Sequence, residues 1–534
     1  MNRILDKLKN HPGILLIAVA LLLPFALLLN IGLMPLISDE PTRAIVTLEM
    51  ILSGNYITPT INGEFYYNKP PLFNWILAGF VQISGKQDEF IFRLPTIISL
   101  VLSAFSIFLF SRKALGKYDA VIAALMLVTS ARILFWDSFQ GLIDVTYALI
   151  TFGSFAALYH FSEGKKYLLM FLFTYTMAAA GYLMKGLPSV AFQGISLLAW
   201  MMHEKSFRKL FTFQHLAGIA VFLLITGTYY YAYLQTNSLQ DVFSTLLDQS
   251  NRINDKDGTP LSWFSHLFVF PFEMAYEFAP WTLLLLLLFD RDVRRRTFEQ
   301  KFFRYCLLIF LSNIIIYWVS ADMRPRYLFM LFPLLFIILT KAWREALRLQ
   351  TRMSGFIGLL FLLMIVAALL SLLIYPFWKE TMHLPGIATI IPVLFIVTGF
   401  SVFAAVKLPQ FRIWFLVIAL LSVRIGFNAF NLPARYNSYP DAGYRQGEVT
   451  TGRLSRGHDL FILGDTPFNH DASFYISRER GSIVRRTWEI SDKRTCYITD
   501  EKNLANFADK LRKYEVLHKF SIKLNESRLY LIRR

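Results

Sequence analysis

The sequence predicts an all-α polytopic membrane protein with a small α/β domain at its C-terminal end. Hydrophobic side chains make up 55% of the 534 residues and charged side chains only 17%, a balance that excludes a soluble globular chain. Apolar stretches long enough to cross about 30 Å of hydrocarbon recur from Pro12 to the region of residue 430. The residues from Pro433 onward instead begin with polar turns and then alternate strand-like pieces with helical patterns, among them the amphipathic segment 503–517, which indicates a separate α/β domain over 431–534.

Thirteen membrane spans can be drawn along the apolar region. They cover residues 13–36, 91–111, 117–136, 141–160, 167–184, 187–203, 212–234, 265–289, 302–320, 325–342, 355–376, 385–406 and 411–430. The basic residues 1–11 precede an apolar segment that is longer than a signal-peptide core and has no small-residue cleavage pattern. We therefore expect the first span to be retained.

The apolar stretch 70–85 decides the topology. If it crosses the membrane, the basic links after the second, fourth and sixth spans fall opposite the basic N-terminus, against the positive-inside rule. If it is an interfacial or re-entrant helix, every basic link lies in the cytoplasm. These links are residues 112–117, 163–166, 203–209, 290–296, 341–352 and 407–412. The second arrangement places an external loop over residues 37–90, within a membrane domain 1–430, and puts the domain 431–534 outside as well.

The net charge of +17 does not indicate a nucleic-acid-binding protein. The basic residues cluster in short links between spans, where topology and anionic lipid both favour them. Cys306 lies in an apolar span and Cys496 in the polar C-terminal region. Two cysteines so placed indicate neither a disulfide framework nor a paired-cysteine metal site.

Adjacent carboxylates open the external loop. Asp39 and Glu40 follow the first span, and Arg43 lies one helical turn further on. An acidic residue before Pro41 is also a good helix start, and Arg43 could pair with either acid on the helix surface. The functional alternative is a carboxylate near the membrane surface that takes a proton from an acceptor hydroxyl or holds the acceptor in place.

Lys69 is the most specific feature of this loop. Two prolines follow it and fix an extended corner, while Tyr66, Tyr67 and Asn68 supply phenol and amide groups. A lysine that snorkels beside interfacial tyrosines is the structural alternative. Together with the nearby carboxylates, Lys69 fits better as a contact to a phosphate group.

Further polar residues are predicted on the same external rim. Asp144 lies near a helix start, where an acid also complements the helix dipole, but acids at membrane depth are costly and often functional. Lys185 lies in a tight turn between two spans. Arg326 and Tyr327 lie at an external helix start, where topology does not favour positive charge and arginine suits phosphate binding.

His266 is the weakest candidate. Glu273 and Glu277 are near it in the sequence, but no second histidine stands at a metal-ligand spacing, so an interfacial or satisfied core histidine is favoured. No cofactor is assigned from the sequence, and a divalent metal is left open.

Several of these motifs occur together in one known family. SDEPTRA at 38–44, LSGNYITPTINGEFYYNKPPLFNW at 52–75, the external Asp144, then KGLP and RPRY resemble the dolichyl-phosphate-mannose protein mannosyltransferase superfamily. The chain is most similar to the bacterial branch that includes the lipid A aminoarabinose transferases. The similarity is dense over residues 37–190, sparser over 320–340 and negligible in the C-terminal domain.

This resemblance implies a GT-C fold and a sugar donor carried on a polyprenyl monophosphate, with residues 37–90 as the catalytic loop. The family's catalytic aspartate matches Asp39, its second external aspartate matches Asp144, and its phosphate-contacting lysine matches Lys69. The candidate catalytic residues are thus Asp39, Asp144 and Glu40, and the candidate phosphate-binding residues are Lys69, Arg43, Arg326, Tyr327 and Lys185. Many relatives carry an acid where this chain has Asn68, so a metal-binding role is not transferred.

The function predicted from motifs and resemblance is that of an inverting membrane glycosyltransferase in the bacterial inner membrane, with its active site and C-terminal domain in the periplasm. The predicted partners are a polyprenyl-phosphate-linked sugar and an envelope acceptor such as lipid A. A protein or glycan acceptor stays open, as do the sugar and the oligomeric state. A lipid-linked sugar flippase is disfavoured, because the charges lie at one rim and no internal repeat is visible.

Overall fold

The computed structural model describes residues 7–9, 11–251, 260–320, 323–438, 440–491, 495–511, 513–524 and 528–534. Its α-helices up to residue 438 are Gly13–Leu28, Glu40–Ser53, Leu72–Ser84, Glu89–Leu115, Lys117–Val128, Ala131–Phe135, Ile143–Glu163, Tyr167–Lys185, Pro188–His203, Phe213–Leu234, Gln240–Asn251, Pro260–Glu277, Arg291–Thr297, Lys301–Trp318, Phe332–Arg348, Arg352–Leu372, Ile387–Lys407, Arg412–Gly426 and Leu432–Ser438. Each of the thirteen predicted spans overlaps one of these helices.

Seven helical segments among the described residues are long and apolar enough to cross a membrane. They are Glu89–Leu115, Tyr167–Lys185, Phe213–Leu234, Lys301–Trp318, Arg352–Leu372, Ile387–Lys407 and Pro409–Ser438. Lys117–Val128 and Ala131–Phe139 form a pair bent by 54°. If this pair is counted as one span, the number of candidate spans among the described residues is eight. Other predicted spans are shorter, such as Pro188–His203 with 16 residues. The number thirteen therefore stays a prediction.

The decisive stretch 70–85 forms the helix Leu72–Ser84, which has 13 residues and ends at Gly85 in a left-handed conformation. A helix of that length spans about 20 Å, which is less than the hydrocarbon thickness. The expectation of an apolar helix that is too short to cross is confirmed. Its placement along the membrane surface stays a prediction.

The chain divides into two compact units, which we describe separately. The helical unit comprises residues 1–31, 96–228 and 246–434, and the loop unit comprises residues 32–95, 229–245 and 435–534. The predicted external loop and the predicted C-terminal domain thus fall within the same unit. The boundary between a membrane domain 1–430 and a C-terminal domain 431–534 stays a prediction.

The C-terminal region contains the expected α/β domain. A five-stranded sheet has the order β4-β3-β5-β7-β6, formed by β3 (Leu460–Leu463), β4 (Arg485–Thr487), β5 (Cys496–Thr499), β6 (Glu515–Ser521) and β7 (Arg528–Arg533). Strands β4, β3 and β5 are parallel, while β7 is antiparallel to both β5 and β6. The helix His470–Arg480 connects β3 to β4 and packs Ala472 and Ile476 on the sheet.

Two details of this region were predicted wrongly. The residues after Pro433 were expected to form polar turns, but they form the helices Leu432–Ser438 and Pro440–Leu454. The amphipathic segment 503–517 was expected to be one helix, but its helical part is split into Glu501–Asn506 and Ala508–Leu511. Its last residues join β6, because hydrogen bonding to β7 outweighs the local helical pattern.

Candidate functional site

Asp39 stands at the start of the helix Glu40–Ser53 in the loop unit. It occupies the N-cap position, but its side chain makes no capping hydrogen bond, and Pro41 lies in the first turn. The side chain is exposed to solvent. The cap alternative considered from the sequence is therefore not supported. An exposed carboxylate at this position can meet an incoming substrate group.

Glu40 has a different environment from Asp39. Its Oε1 accepts from Arg93 Nε at 2.8 Å, and its Oε2 accepts from Arg93 Nη2 at 2.9 Å and from the Ile37 amide at 2.8 Å. Both side chains of the pair are 1% exposed. The geometry does not support the catalytic role expected for Glu40, because its carboxylate is buried and already satisfied. Glu40 instead holds the backbone before Asp39 through the amide of Ile37.

Arg43 is buried on the same helix, one turn beyond Asp39. Its Nη2 donates to the Tyr66 hydroxyl at 2.6 Å, whereas Nη1 is buried without a hydrogen-bond partner among the described residues. A surface pair with Glu40, one of the two acids considered from the sequence, is not the contact found, because Glu40 is bound by Arg93. A buried guanidinium with an unused N–H group is suited to an anionic ligand.

The strands β1 (Thr60–Ile61) and β2 (Glu64–Phe65) form a hairpin that leads to Lys69. Glu49, which the sequence reading missed, holds this hairpin. Its carboxylate accepts from Thr60 Oγ1 at 2.7 Å and from the amides of Asn62 and Gly63 at 2.5 and 3.2 Å. Burial raises the pKa of Glu49 above its usual range, although these hydrogen bonds oppose the shift. The positive φ of Asn62 and Gly63 marks the turn.

The residues after this hairpin are placed as follows. Tyr66 and Tyr67 are half-buried, and the Tyr67 hydroxyl accepts from Asn237 at 3.4 Å. Asn68 is exposed and Lys69 is half-buried, directly before the helix Leu72–Ser84. Lys69 therefore lies on a corner between two anchored elements, as the prolines predicted.

A second cluster lies in the helical unit around Asp144. Lys185 Nζ lies 2.5 Å from Asp144 Oδ1, and Arg326 Nε lies 3.4 Å from Oδ2. The ammonium group of Lys185 also lies 4.1 Å from the ring centre of Tyr327. Residues from three separate helical segments thus meet at one carboxylate. The structure brings together Asp144, Lys185 and Arg326 as a buried group, with the half-buried Tyr327 beside them.

Asp137 belongs to the same region and was not identified from the sequence. It is fully buried, and Arg132 Nε donates to its Oδ2 at 2.6 Å. Arg132 also reaches Glu277 at 3.2 Å. An acid within an apolar stretch is a general signal of function, and that signal would have found Asp137.

His266 is half-buried in the helix Pro260–Glu277, with its ring 5.5 Å from Phe270. Within the described ranges, no group of three or more His, Cys, Asp or Glu side chains is placed to hold a metal ion. An interfacial histidine is consistent with this position, but a satisfied core histidine is not, because Nε2 is buried without a hydrogen-bond partner among the described residues. The metal dependence stays open.

His470, at the start of the helix His470–Arg480, contacts Thr42 in the loop 37–90. Its Nδ1 lies 2.8 Å from Thr42 Oγ1. Burial, and then the charge of Arg43, lowers the pKa of His470 below 6.5. The folded state therefore binds this proton less readily than the unfolded state, so the stability from this group is complete above pH 6.5 and is lost as the pH falls toward the folded pKa.

We expect the free energy of unfolding to fall on acidification with a contribution from His470 of at most about 1.4 kcal/mol per pH unit. Thermal unfolding of the detergent-solubilised chain between about pH 5 and 8 measures it. The variant His470→Gln should flatten this dependence. Equal pH profiles for the wild type and His470→Gln would contradict the assignment.

Comparison with known proteins shows which families and folds this chain resembles. Residues 68–231 match the model of the family described as dolichyl-phosphate-mannose-protein mannosyltransferase. A relative from Pectobacterium atrosepticum, named undecaprenyl phosphate-alpha-4-amino-4-deoxy-L-arabinose arabinosyl transferase, is 23% identical over 92% of this chain and 85% of its own length. A relative of the same name from Edwardsiella ictaluri is 27% identical over 35% of this chain. That match covers only 34% of the relative's own length.

The solved structures decide the fold. The apo crystal structure of ArnT from Cupriavidus metallidurans matches with a TM-score of 0.68 at 16% identity, covering 98% of both chains. The same protein bound to undecaprenyl phosphate also gives a TM-score of 0.68, at 17% identity over 97% of this chain and 98% of that one. The chain has the GT-C fold. The resemblance to the mannosyltransferase superfamily is confirmed.

The GT-C fold accounts for the distribution of the candidates. The chain is a multi-pass membrane protein, and Asp39, Arg43 and Lys69 all lie in the loop unit. The match over nearly the whole chain includes the C-terminal domain, for which the sequence showed negligible similarity. The structure adds three residues that the sequence did not single out, namely Arg93, Asp137 and His470.

Proposed function

We propose that the chain is an inverting glycosyltransferase that transfers a sugar from a polyprenyl-phosphate donor to an envelope acceptor such as lipid A. The GT-C fold, the family match over residues 68–231 and relatives named as arabinosyl transferases support this proposal. A structure with the same fold binds undecaprenyl phosphate. We place the reaction on the periplasmic side of the bacterial inner membrane, because the basic links between spans favour that topology.

The observation that carries the proposal is the guanidinium of Arg43. It is buried, one of its terminal nitrogens donates to Tyr66, and the other has no partner among the described residues. Such a group favours an anion that brings its own hydrogen-bond acceptors, and the phosphate of a lipid-linked donor fits this chemistry. Lys69 stands on the adjoining anchored corner as a second cation of the loop unit.

The proposed mechanism assigns each group one task. Lys69 and Arg43 of the loop bind the donor phosphate and stabilise the negative charge that grows as the bond to the sugar breaks. Asp39 orients or deprotonates the acceptor, which attacks the anomeric carbon and inverts its configuration. We further assign Arg326, Tyr327 and Lys185 to phosphate binding, with Asp144 holding the two cations in position.

The chemical role of Asp39 depends on the type of acceptor. A hydroxyl acceptor must lose a proton, so Asp39 acts as a base. A phosphate of lipid A is already ionised, so Asp39 mainly positions it. Protein and glycan acceptors are alternatives within the same enzyme class, and the transferred sugar is not assigned.

A transfer assay tests the proposal directly. The purified chain in detergent is mixed with a polyprenyl-phospho-sugar and lipid A, and mass spectrometry detects the modified acceptor. Lipid A and envelope glycans from a deletion strain are compared with those from the complemented strain. Product formation in detergent supports an enzyme. The absence of product together with donor movement across intact vesicles would instead support a lipid-linked sugar flippase.

We expect Lys69→Ala to raise the donor KM by roughly 10- to 100-fold, because a charge-assisted hydrogen bond to phosphate contributes about 1.5–3 kcal/mol. Initial rates at varied donor concentration measure this change. The matched control is Lys86→Ala, since Lys86 is an exposed lysine at the far end of the same loop. Undiminished transfer by Lys69→Ala at low donor concentration would contradict phosphate binding by Lys69.

A further inference from the structure

The backbone immediately before Asp39 is in an unusual conformation. Residues 35–37 have no regular secondary structure, and Ser38 has a φ of 60°. This left-handed conformation is sparsely populated by residues with a Cβ atom, and it persists only where the surrounding structure holds it. The direction in which Asp39 leaves the chain depends on this turn. The contacts that hold the turn therefore bear on the position of its carboxylate.

One side of the turn is held from within the loop. Arg93 donates to the carbonyl oxygens of Met34 and Pro35, both at 2.9 Å. The Ile37 amide donates to Glu40 at 2.8 Å. These contacts leave the amide of Leu36 to be satisfied by another part of the molecule.

The partner of Leu36 comes from the C-terminal domain. Its amide donates to the Tyr475 hydroxyl at 3.0 Å, across 439 positions of sequence. The same hydroxyl donates to Glu89 Oε1 at 2.9 Å, and Arg445 pairs with that carboxylate oxygen at 2.9 Å. A phenol has a single proton to donate, so the contact with Glu89 directs its lone pairs toward Leu36. Tyr475 is 1% exposed.

The helix that carries Tyr475 contacts the loop on both sides of Asp39. His470, at its start, lies against Thr42 beyond Asp39, while Tyr475 binds Leu36 before it. Phe474 packs edge-on against Phe92, with ring centres 5.3 Å apart. The two contacts lie one and a half turns apart on one rigid helix, and they bracket the strained turn.

We propose that Tyr475 is a positioning residue, through which the C-terminal domain fixes the turn at Ser38 and thereby the carboxylate of Asp39. The inference rests on the proposed function and gives the C-terminal domain a task within it. Small displacements of a reacting group lower the rate strongly, even when the substrate still binds. The hydroxyl of Tyr475 acts through Leu36 and touches no substrate.

The variant Tyr475→Phe removes only this hydroxyl. We expect kcat to fall by about tenfold while the donor KM changes by less than about twofold, since the phosphate-binding groups lie elsewhere in the loop. The matched control is Tyr497→Phe. Tyr497 is also a fully buried tyrosine of the C-terminal domain, and its hydroxyl accepts from the Ser491 amide at 2.7 Å. Equal losses of kcat in both variants would overturn the proposal, because the effect would then be general destabilisation.

A second substitution separates positioning from structural damage. Asparagine adopts the left-handed conformation more readily than serine, so Ser38→Asn favours the turn without the Tyr475 contact. We expect Ser38→Asn to restore much of the kcat lost in Tyr475→Phe. No restoration, with both proteins folded to the same extent, would contradict the role of the turn.

Hydrogen exchange tests the contact without any assay of transfer. The peptide that contains Leu36 should exchange faster in Tyr475→Phe than in the wild type, while Tyr497→Phe should leave it unchanged. If the wild type shows no transferase activity but this exchange pattern is found, the proposed function is wrong. The inference that Tyr475 holds the backbone at Leu36 then still stands. Unchanged exchange at Leu36 in Tyr475→Phe would overturn the inference itself.

Discussion

Replacing Asp39 by asparagine is expected to lower kcat by about 10²- to 10⁴-fold with a hydroxyl acceptor, the range typical of a lost general base. Asparagine keeps the size of the side chain and removes its charge. Asp39 makes no capping hydrogen bond and its side chain is exposed, so we expect little change in stability. Single-turnover transfer from a polyprenyl-phospho-sugar measures the effect on the chemical step.

The matched control is Asp88→Asn. Asp88 lies in the same unit directly before another helix, and its carboxylate accepts from the Ile91 amide at 3.0 Å. Loss of that contact should affect stability slightly and turnover hardly at all. The acceptor gives a second comparison, because an ionised phosphate needs no base and should show a smaller loss with Asp39→Asn. Normal turnover of a hydroxyl acceptor by Asp39→Asn would remove the base assignment.

The sequence predicted where the apolar helices lie along the chain because long apolar helices leave a strong local pattern. The stretch 70–85 was predicted to be too short to cross the membrane, and the 13 residues of the helix Leu72–Ser84 confirm that length. The segment 503–517 was misassigned because its strand depends on hydrogen bonds to β7, which local periodicity does not encode. Element type is therefore predictable where the element satisfies its own backbone, and less so where a distant strand does.

The candidate site likewise combines features that the local sequence predicts with features that depend on distant residues. Lys69 and Asp144 were found from proline and charge in the sequence alone, and Lys185 and Arg326 meet Asp144 as members of one cluster. The difference between Asp39 and Glu40 was not predictable, because it depends on Arg93, which lies 53 positions further along the chain. Adjacent acids look alike in a sequence. Only their surroundings show which one is exposed and which is buried.

The buried pair of Glu40 and Arg93 gives the largest expected effect on stability. Arg93→Ala should lower the free energy of unfolding by about 3–5 kcal/mol, because it leaves Glu40 buried without its cation. It also removes the donors to the carbonyls of Met34 and Pro35. Thermal or denaturant unfolding in detergent measures this loss. Arg112→Ala is the matched control, since Arg112 is an exposed arginine near the end of the same helix.

A double-mutant cycle then distinguishes a charge pair from simple loss of packing. Glu40→Ala should also be costly, since it leaves Arg93 buried without its carboxylate. Removing both groups leaves neither member of the pair buried without the other, so the double variant should lose less stability than the two single losses added together, with a coupling of about 1–3 kcal/mol. Strictly additive losses would mean that the two side chains stabilise the loop independently, and that Glu40 is available for another role.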